Sequence, residues 1–447
     1  MPQAHTTPRH AAWALSALAA LTLSACGDIS RVPIDKGIGP NPELPEPVTS
    51  MLPTIKVAKA EPWPEGQMPT AAAGTTVQRF AGELDHPRWL HVLPNGDVLV
   101  AESNAPERPL RKELQGVRGW VQGKVMARAG AATPSANRIT LLRDADGDGA
   151  AEVRSVFLEN LNSPFGMALV GNELFIANTD ALVKVPYNAG DTKASGPVAK
   201  VADLPGGPLN HHWTKGLIAS PDGQRLYVSV GSNSNVAEYG MGHEEGRAAI
   251  WVFDRSSGAG RLFATGLRNP VGMAWQGQTL WTSVNERDEL GSDLVPDYMT
   301  SVREGGFYGW PYSYYGQTVD KRPQPPRPDL VAQAIKPDYA LGSHTASLGL
   351  AAATGSRLGG AFNEGGMFVG QHGSWNRKPP SGYKVIYVPF NGEQPSGPPV
   401  DVLTGFLTED GKAMGRPVGV AMDTRGALLV ADDVGNVIWR VKGQNAP

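Results

Sequence analysis

An all-β chain closed into a six-bladed β-propeller is the fold class the sequence predicts, and three observations carry the prediction. One short hairpin design recurs six times along the chain. Glycine (54) and proline (38) are both abundant, as many strands and turns require, and the long amphipathic runs of an α protein are missing. A series of hairpins must also either expose edge strands or close on itself, and radial closure removes the edges.

The design is clearest from Gly266 to Glu286. Arg268-Asn269-Pro270 is a polar turn-forming entry, because proline fixes its own φ and pushes the preceding residue out of the helical region. Two strands, Gly272 to Trp275 and Leu280 to Val284, then flank the turn at Gln276-Gly277-Gln278. The other copies enter at His86-Pro87-Arg88, Asn162-Ser163-Pro164, His211-His212-Trp213, His344-Thr345-Ala346 and Gly415-Arg416-Pro417. Each leads to an apolar strand: Val98 to Glu102, Leu174 to Asn178, Leu226 to Gly231, Met367 to Gln371 and Leu428 to Asp432. Outer strands at 137–142, 181–185, 249–253, 384–388 and 437–441 fill the intervals, and insertions stand at about 104–135 and 290–340.

Composition narrows the function. Lys and Arg total 40 against 43 Asp and Glu, so net charge gives no reason to expect nucleic acid. Basic residues precede an apolar run, Ala11 to Leu23, too short to span a bilayer but suited to an export signal. The run ends in Leu23-Ser24-Ala25-Cys26, similar to a bacterial lipobox, and Cys26 is the single cysteine. Residues 1–25 are therefore expected to be a lipoprotein signal peptide, 26–74 a Pro- and Ala-rich extended tether, and 75–447 the propeller. The expected location is the bacterial cell envelope, on the periplasmic face, with the lipid on Cys26 as membrane anchor.

The blade entries form a ring at one end of the channel. Four residues before each anchor stand His86, Asn162, His212, Arg268, Thr345 beside His344, and Gly415 beside Arg416. Polar residues replace apolar filler there, which marks a site. His212 is the expected general base, since imidazole abstracts protons near neutrality. Arg268 with Asn269, Arg377 with Lys378, and Arg416 suit a small polyanion if they converge. Lys215 reads as scattered surface charge. Asp144, Asp146 and Asp148 alternate around Gly147 as in a calcium loop, although Ser155 occupies loop position twelve; a tight Asp-Gly turn is the other reading. The run Asn285 to Glu289 could bind a cation or be a solvated charge run. Gly305 to Pro311 could wall a flat ligand or pack between blades.

Gly266-Leu-Arg268-Asn269-Pro270, Gly-Gly-Phe-Tyr-Gly-Trp310-Pro311 and His212 nine residues before Pro221-Asp222-Gly223 together resemble the quinoprotein sugar dehydrogenases, the soluble glucose and sorbosone dehydrogenase group. The likeness covers about residues 75–442. It implies pyrroloquinoline quinone (PQQ) and calcium as cofactors, with His212 as base and Arg268 and Asn269 over the quinone. It further implies Arg377, Lys378 and Arg416 at PQQ carboxylates, and calcium on the backbone carbonyls of Glu286 and Arg287. The chain departs from the glucose enzyme at Val418, where a second arginine is expected, and its 290–311 stretch is closer to the sorbosone branch.

The expected activity is PQQ- and calcium-dependent oxidation of a sugar, polyol or aldehyde, with electrons passed to a cytochrome or quinone. Two other classes compete. A calcium-dependent propeller lactonase would place carboxylates and Asn around the channel metal, and a non-catalytic binding module would have a ring without a base.

Overall fold

Six antiparallel sheets stand around one axis in the computed structural model, which describes residues 28–49, 54–108, 133–363 and 365–444. Blade 1 contains the strands Pro87–Val92, Val98–Glu102, Arg138–Arg143 and Val153–Leu158. Blade 2 contains Met167–Val170, Glu173–Ala177, Ala181–Pro186 and Ala199–Asp203, and blade 3 contains Leu217–Ala219, Arg225–Val230, Ala249–Asp254 and Gly260–Thr265. Blade 4 is built on Pro270–Gln276, Thr279–Val284, Pro296–Ser301 and Tyr339–Ser343. Blade 5 is built on Ser347–Ala352, Gly366–Gln371, Lys384–Asn391 and Val400–Thr404, and blade 6 on Pro417–Met422, Leu428–Asp432 and Val437–Gly443. The blade 4 hairpin pairs Gln276 with Thr279, so its turn is the two residues Gly277 and Gln278.

Closure uses chain from the other end. Thr75–Ala81 pairs antiparallel with Val437–Gly443 and supplies the outer strand of blade 6. That register ties the first propeller segment to the last and leaves the ring no free seam.

Glycine explains how tightly the blades meet at the axis. Gly166, Gly216, Gly272, Gly349 and Gly419 hold one equivalent position of the repeat, within or directly before five inner strands. A Cβ on Gly216 would lie 2.3 Å from the Val271 carbonyl oxygen, and one on Gly349 2.1 Å from that of Val418. Backbone therefore packs on backbone from blade to blade, and only glycine leaves the room. The residues just before the anchors point inward as Trp89, Phe165, Lys215, Val271, Leu348 and Val418, and all but Lys215 belong to one apolar cluster with Trp213. Trp89 and Phe165 lie 4.7 Å apart between ring centroids, and Phe165 meets Trp213 edge-on at 6.0 Å. The axis is thus plugged, and a ligand must enter from one end.

Where an extended tether is expected, the described residues between 28 and 74 lie on the propeller. Ile38–Gly39 adds to blade 4 beside Tyr339–Ser343, and Thr70–Ala71 adds to blade 5 beside Val400–Thr404. Lys59–Ala60 pairs in parallel with Lys412–Ala413, and Trp63 packs edge-on against Phe406 and Trp439. Proline-rich composition reflects a segment that offers few ladder hydrogen bonds, not one that stays free. No helix among the described residues is long and apolar enough to cross a membrane. Cys26 and the signal segment lie outside the described residues.

Candidate active site

Above the apolar plug is a cavity of about 210 Å³ lined mostly by polar and charged residue types. Leu348 is its floor. Blade 1 contributes His86 and Arg88, blade 4 Asn285 and Asp288, blade 5 His344, His372, Trp375 and Asn376, and blade 6 Arg416 and Asp433. All come from blade entries or from loops after the second strand of a blade, the end at which the hairpin design places its polar residues.

One half of the wall is organised around Asp433. Arg88 pairs with its carboxylate, His372 Nε2 lies 2.9 Å from Oδ2, and His86 Nε2 lies 3.5 Å away. Burial alone would raise this carboxyl, but His372, His86 and Arg88 hold it well below the usual range. His86 is pushed down to about 4 by burial, against the opposing pull of Asp433. His372 is also lowered by burial, so both imidazoles are neutral at neutral pH and Arg88 is the permanent countercharge. With Nε2 facing the carboxylate, His372 carries its proton there and keeps Nδ1 as the lone-pair nitrogen.

Arg416 is the unusual cation. It is 3% exposed, yet no ion pair compensates it among the described residues. Its guanidinium has only the carbonyls of His372 (3.5 Å) and Gly373 (3.4 Å) and the Tyr383 hydroxyl (3.2 Å), and it stacks 4.8 Å from the Tyr383 ring. Arg416 Nε, Arg88 Nε and Asn376 Oδ1 are buried without a hydrogen-bond partner. Unpaired buried donors and acceptors are costly unless a ligand completes them.

The other half of the wall is satisfied internally. Arg268, 1% exposed, spends Nε on the Asn235 carbonyl and one terminal nitrogen on the Glu286 carbonyl at 2.6 Å. Its other terminal nitrogen reaches Asn235 Oδ1 at 3.0 Å and Asp288 Oδ2 at 3.3 Å. Burial raises the Asp288 carboxyl, but His344, Arg268 and Asn376 outweigh it and hold the group near about 2. His344 donates Nε2–H to the Gly291 carbonyl (2.8 Å) and turns Nδ1 toward Asp288. Arg268 itself does not line the cavity; its partners Asn285 and Asp288 do.

The remaining sequence candidates separate. His212 is half-buried outside the cavity lining, with Nδ1 at 2.9 Å from the Ser232 carbonyl and its ring edge-on to His211. Asn269 lies beside it, since both crowd Gly231, and Asn269 Oδ1 is a buried atom without a partner. Arg377 turns away from the cavity that its neighbour Asn376 lines, toward Ser30 (2.7 Å) and Asp293 (3.6 Å); Lys378 gives its carbonyl to Ser30. Glu286 and Arg287 are not a solvated run: they are 4% and 2% exposed, and burial pushes the Glu286 carboxyl up to about 7. The Glu286 carbonyl accepts Arg268, and Arg287 pairs with Asp320.

Lys215 is no surface charge. It is fully buried on the axis with Nζ on the Trp213 carbonyl at 3.1 Å, and desolvation lowers it well below an ordinary lysine. Asp144, Asp146, Asp148 and Glu152 bring carboxylate oxygens within 4.8 Å of one another between the outer strands of blade 1, with Arg425 on Asp144. Gly305 to Pro311 resolves as inter-blade packing. Tyr308 and Trp310 are buried, Phe307 bridges Thr265, and Trp310 Nε1 donates to the Asn235 carbonyl at 3.0 Å. Sequence reasoning missed Arg88, His372, Asn376 and Asp433. Arg88 stands in the first blade entry without being singled out there, Asp433 directly follows Asp432, and His372 directly follows Gln371, the end of a predicted strand.

The described residues thus form a polar cup rich in arginine and histidine above the plugged axis of a six-bladed propeller. The family model described as TrAA12-like matches residues 135–303 and 329–444, and the chain belongs to that family. In sequence it is 26% identical over 299 residues to a pyrroloquinoline quinone-dependent pyranose dehydrogenase of Coprinopsis cinerea, covering 53% of this chain but only 40% of that enzyme. A Borreliella burgdorferi protein without an assigned activity is 27% identical over 301 residues, 63% of this chain and 76% of the relative. The solved PQQ domain of the Coprinopsis enzyme, in its holo form, superposes with a TM-score of 0.65 at 22% identity, covering 85% of this chain and 98% of that one. The calcium structure of the Trichoderma reesei family AA12 protein gives a TM-score of 0.66 at 18% identity over 88% and 100% of the two chains.

Proposed function

We propose that this chain is a PQQ-dependent dehydrogenase that oxidises a sugar or related polyol or aldehyde and passes the electrons to an external acceptor. The observation that carries the reading is Arg416, a buried cation with no carboxylate partner among the described residues, next to the unspent donor of Arg88. PQQ is an ortho-quinone bearing carboxylates, and the cup offers guanidinium groups for the carboxylates and apolar surface for the ring at Leu348 and Trp375. The naming of the Coprinopsis relative as PQQ-dependent supports the same group.

When bound, PQQ supplies the two-electron acceptor for a substrate carbon–hydrogen bond. The protein's part is binding, orientation and proton movement. Arg416, Arg88 and Asn376 would hold the cofactor. His372 takes the substrate hydroxyl proton at Nδ1, and Asp433 fixes the tautomer by holding Nε2–H. Arg88 keeps Asp433 ionised, so the carboxylate stabilises the imidazolium that results. Arg268 acts as a positioning residue, tying Asp288 and the Glu286 carbonyl to blade 3. His212 is the second candidate base, because its Nδ1 is fixed on the Ser232 carbonyl and Asn269 lies beside it. Calcium would bind the Asp144, Asp146, Asp148 loop in a structural role, and a second ion on the Glu286 and Arg287 carbonyls would have to displace Arg268 from the Glu286 carbonyl.

The reading extends to the cell envelope: export through residues 1–25 and a lipid on Cys26. The test of function is a titration of metal-stripped protein with PQQ and calcium, followed by absorbance and by dye reduction over a sugar panel. Saturable binding with sugar-dependent reduction is expected, and no binding would overturn the reading. His372→Asn should then keep PQQ affinity and lower kcat by roughly 10²–10⁴-fold. The acid limb of the wild-type pH profile should fall below 6.5, because burial lowers His372. If His212→Asn shows that loss instead, the proton passes to His212.

A further inference from the structure

We infer that the rim of the candidate site is a bilayer-docking surface, so that the mouth of the channel faces the membrane. The inference rests on the proposed lipid at Cys26 and adds an orientation to it. Export and anchoring alone would leave the propeller free to tumble on a long tether.

The chain is fastened almost at its first described residue. Asp28 Oδ2 accepts the Ser292 amide at 2.7 Å, and its carbonyl accepts the Ser292 hydroxyl at 2.8 Å. Ser30 donates its amide to the Lys378 carbonyl at 2.8 Å and its hydroxyl to Asp293 at 2.6 Å, and Arg377 donates to the same hydroxyl at 2.7 Å. The amides of Arg31 and Val32 both reach Asp293 Oδ2, at 2.6 and 3.1 Å. These partners are in the blade 4 and blade 5 loops that also carry Asp288, Trp375 and Asn376 of the cavity. Lys56 returns to the same place, with its amide on the Trp375 carbonyl at 2.8 Å.

Only Gly27 separates Cys26 from Asp28. Two residues reach at most about 7 Å. A lipid on Cys26 therefore holds this rim within about one headgroup layer of the bilayer, whatever the remainder of the molecule does. The side chains that the strap turns outward fit that neighbour. Ile29, Ile34 and Ile55 are 58%, 56% and 37% exposed, three large apolar groups on the two segments fastened to these loops. Arg31, Lys36 and Lys56 are exposed among them, with Asp35 as the one acid between Ile29 and Lys36. Apolar groups interleaved with cations are the composition of an interfacial contact with anionic lipid. Electrons leaving the cup then emerge at a lipid surface, where a membrane-confined acceptor is within reach.

The test uses the mature lipidated protein on vesicles of phosphatidylethanolamine and phosphatidylglycerol. An environment-sensitive fluorophore is placed at Ile34→Cys on the rim or at Gln278→Cys in the blade 4 turn at the opposite end, Cys26 being blocked by its thioether. Quenching by brominated acyl chains should be at least threefold stronger at position 34 than at 278. Adding Ile29→Glu and Ile55→Glu to the rim probe should reduce it while the lipid keeps the protein on vesicles. Equal quenching at both positions, or failure to sediment with vesicles, would overturn the inference. PQQ binding measured on the same samples in detergent is a separate readout, so loss of orientation and loss of the cofactor reading can be told apart.

Discussion

Arg268 and Arg416 occupy equivalent stretches of the repeat, in the entries of blades 4 and 6, and both are nearly inaccessible to solvent. Their surroundings differ. Arg268 is saturated by three backbone carbonyls, two carboxamides and the Asp288 carboxylate, so it holds two loops together. Arg416 touches neutral acceptors at 3.2 to 3.5 Å and keeps Nε unspent. Burial cannot distinguish a structural arginine from a ligand-binding one. The satisfaction of its donors can, because an uncompensated buried cation costs stability that a bound anion restores.

The largest effect expected from breaking this contrast is on stability. Arg268→Ala removes one partner of a buried network and should destabilise the fold by about 3–5 kcal/mol, read by urea unfolding. Arg416→Met should unfold at the same or higher denaturant concentration and lose PQQ affinity by about 100-fold or more, measured by absorbance titration. A stable Arg268→Ala chain that fails to bind PQQ would reverse the two roles. The smallest effect concerns pH. Glu286 is raised from 4.5 to about 7, so the folded state holds a proton that the unfolded chain has released. Its contribution is complete below about 4.5 and is lost as pH rises through about 7, at up to about 1.4 kcal/mol per unit. Glu286→Gln should flatten that part of the stability profile, and an unchanged slope would show that Glu286 is ionised in the fold.

Much of the architecture could be read from sequence because the repeat is local. Gly272 and Gly349 stand at fixed offsets from polar entries and turns, and each offset is set by one hairpin. The site was legible only in part. Arg416, His86 and His344 line the cavity as residues of the polar ring, whereas Arg268 and Arg377 serve neighbouring loops. Asp433 could not be ranked beforehand, because Arg88, its partner, is 345 positions away in the chain. Lys215 has the ordinary appearance of a charged residue in a loop, and only its place before a glycine anchor, on the axis, buries it.

By itself the sequence determined the number of blades, the end of the channel that is polar and the residue types gathered there, since periodicity and turn chemistry act over a few residues. Tertiary structure alone decided which arginine is spent and which is available, and that residues 28–49 and 54–74 lie on the propeller, fastened to blades 4 and 5, instead of reaching away from it. Those outcomes depend on hydrogen-bond partners supplied by distant blades, and ring closure is what brings them within reach.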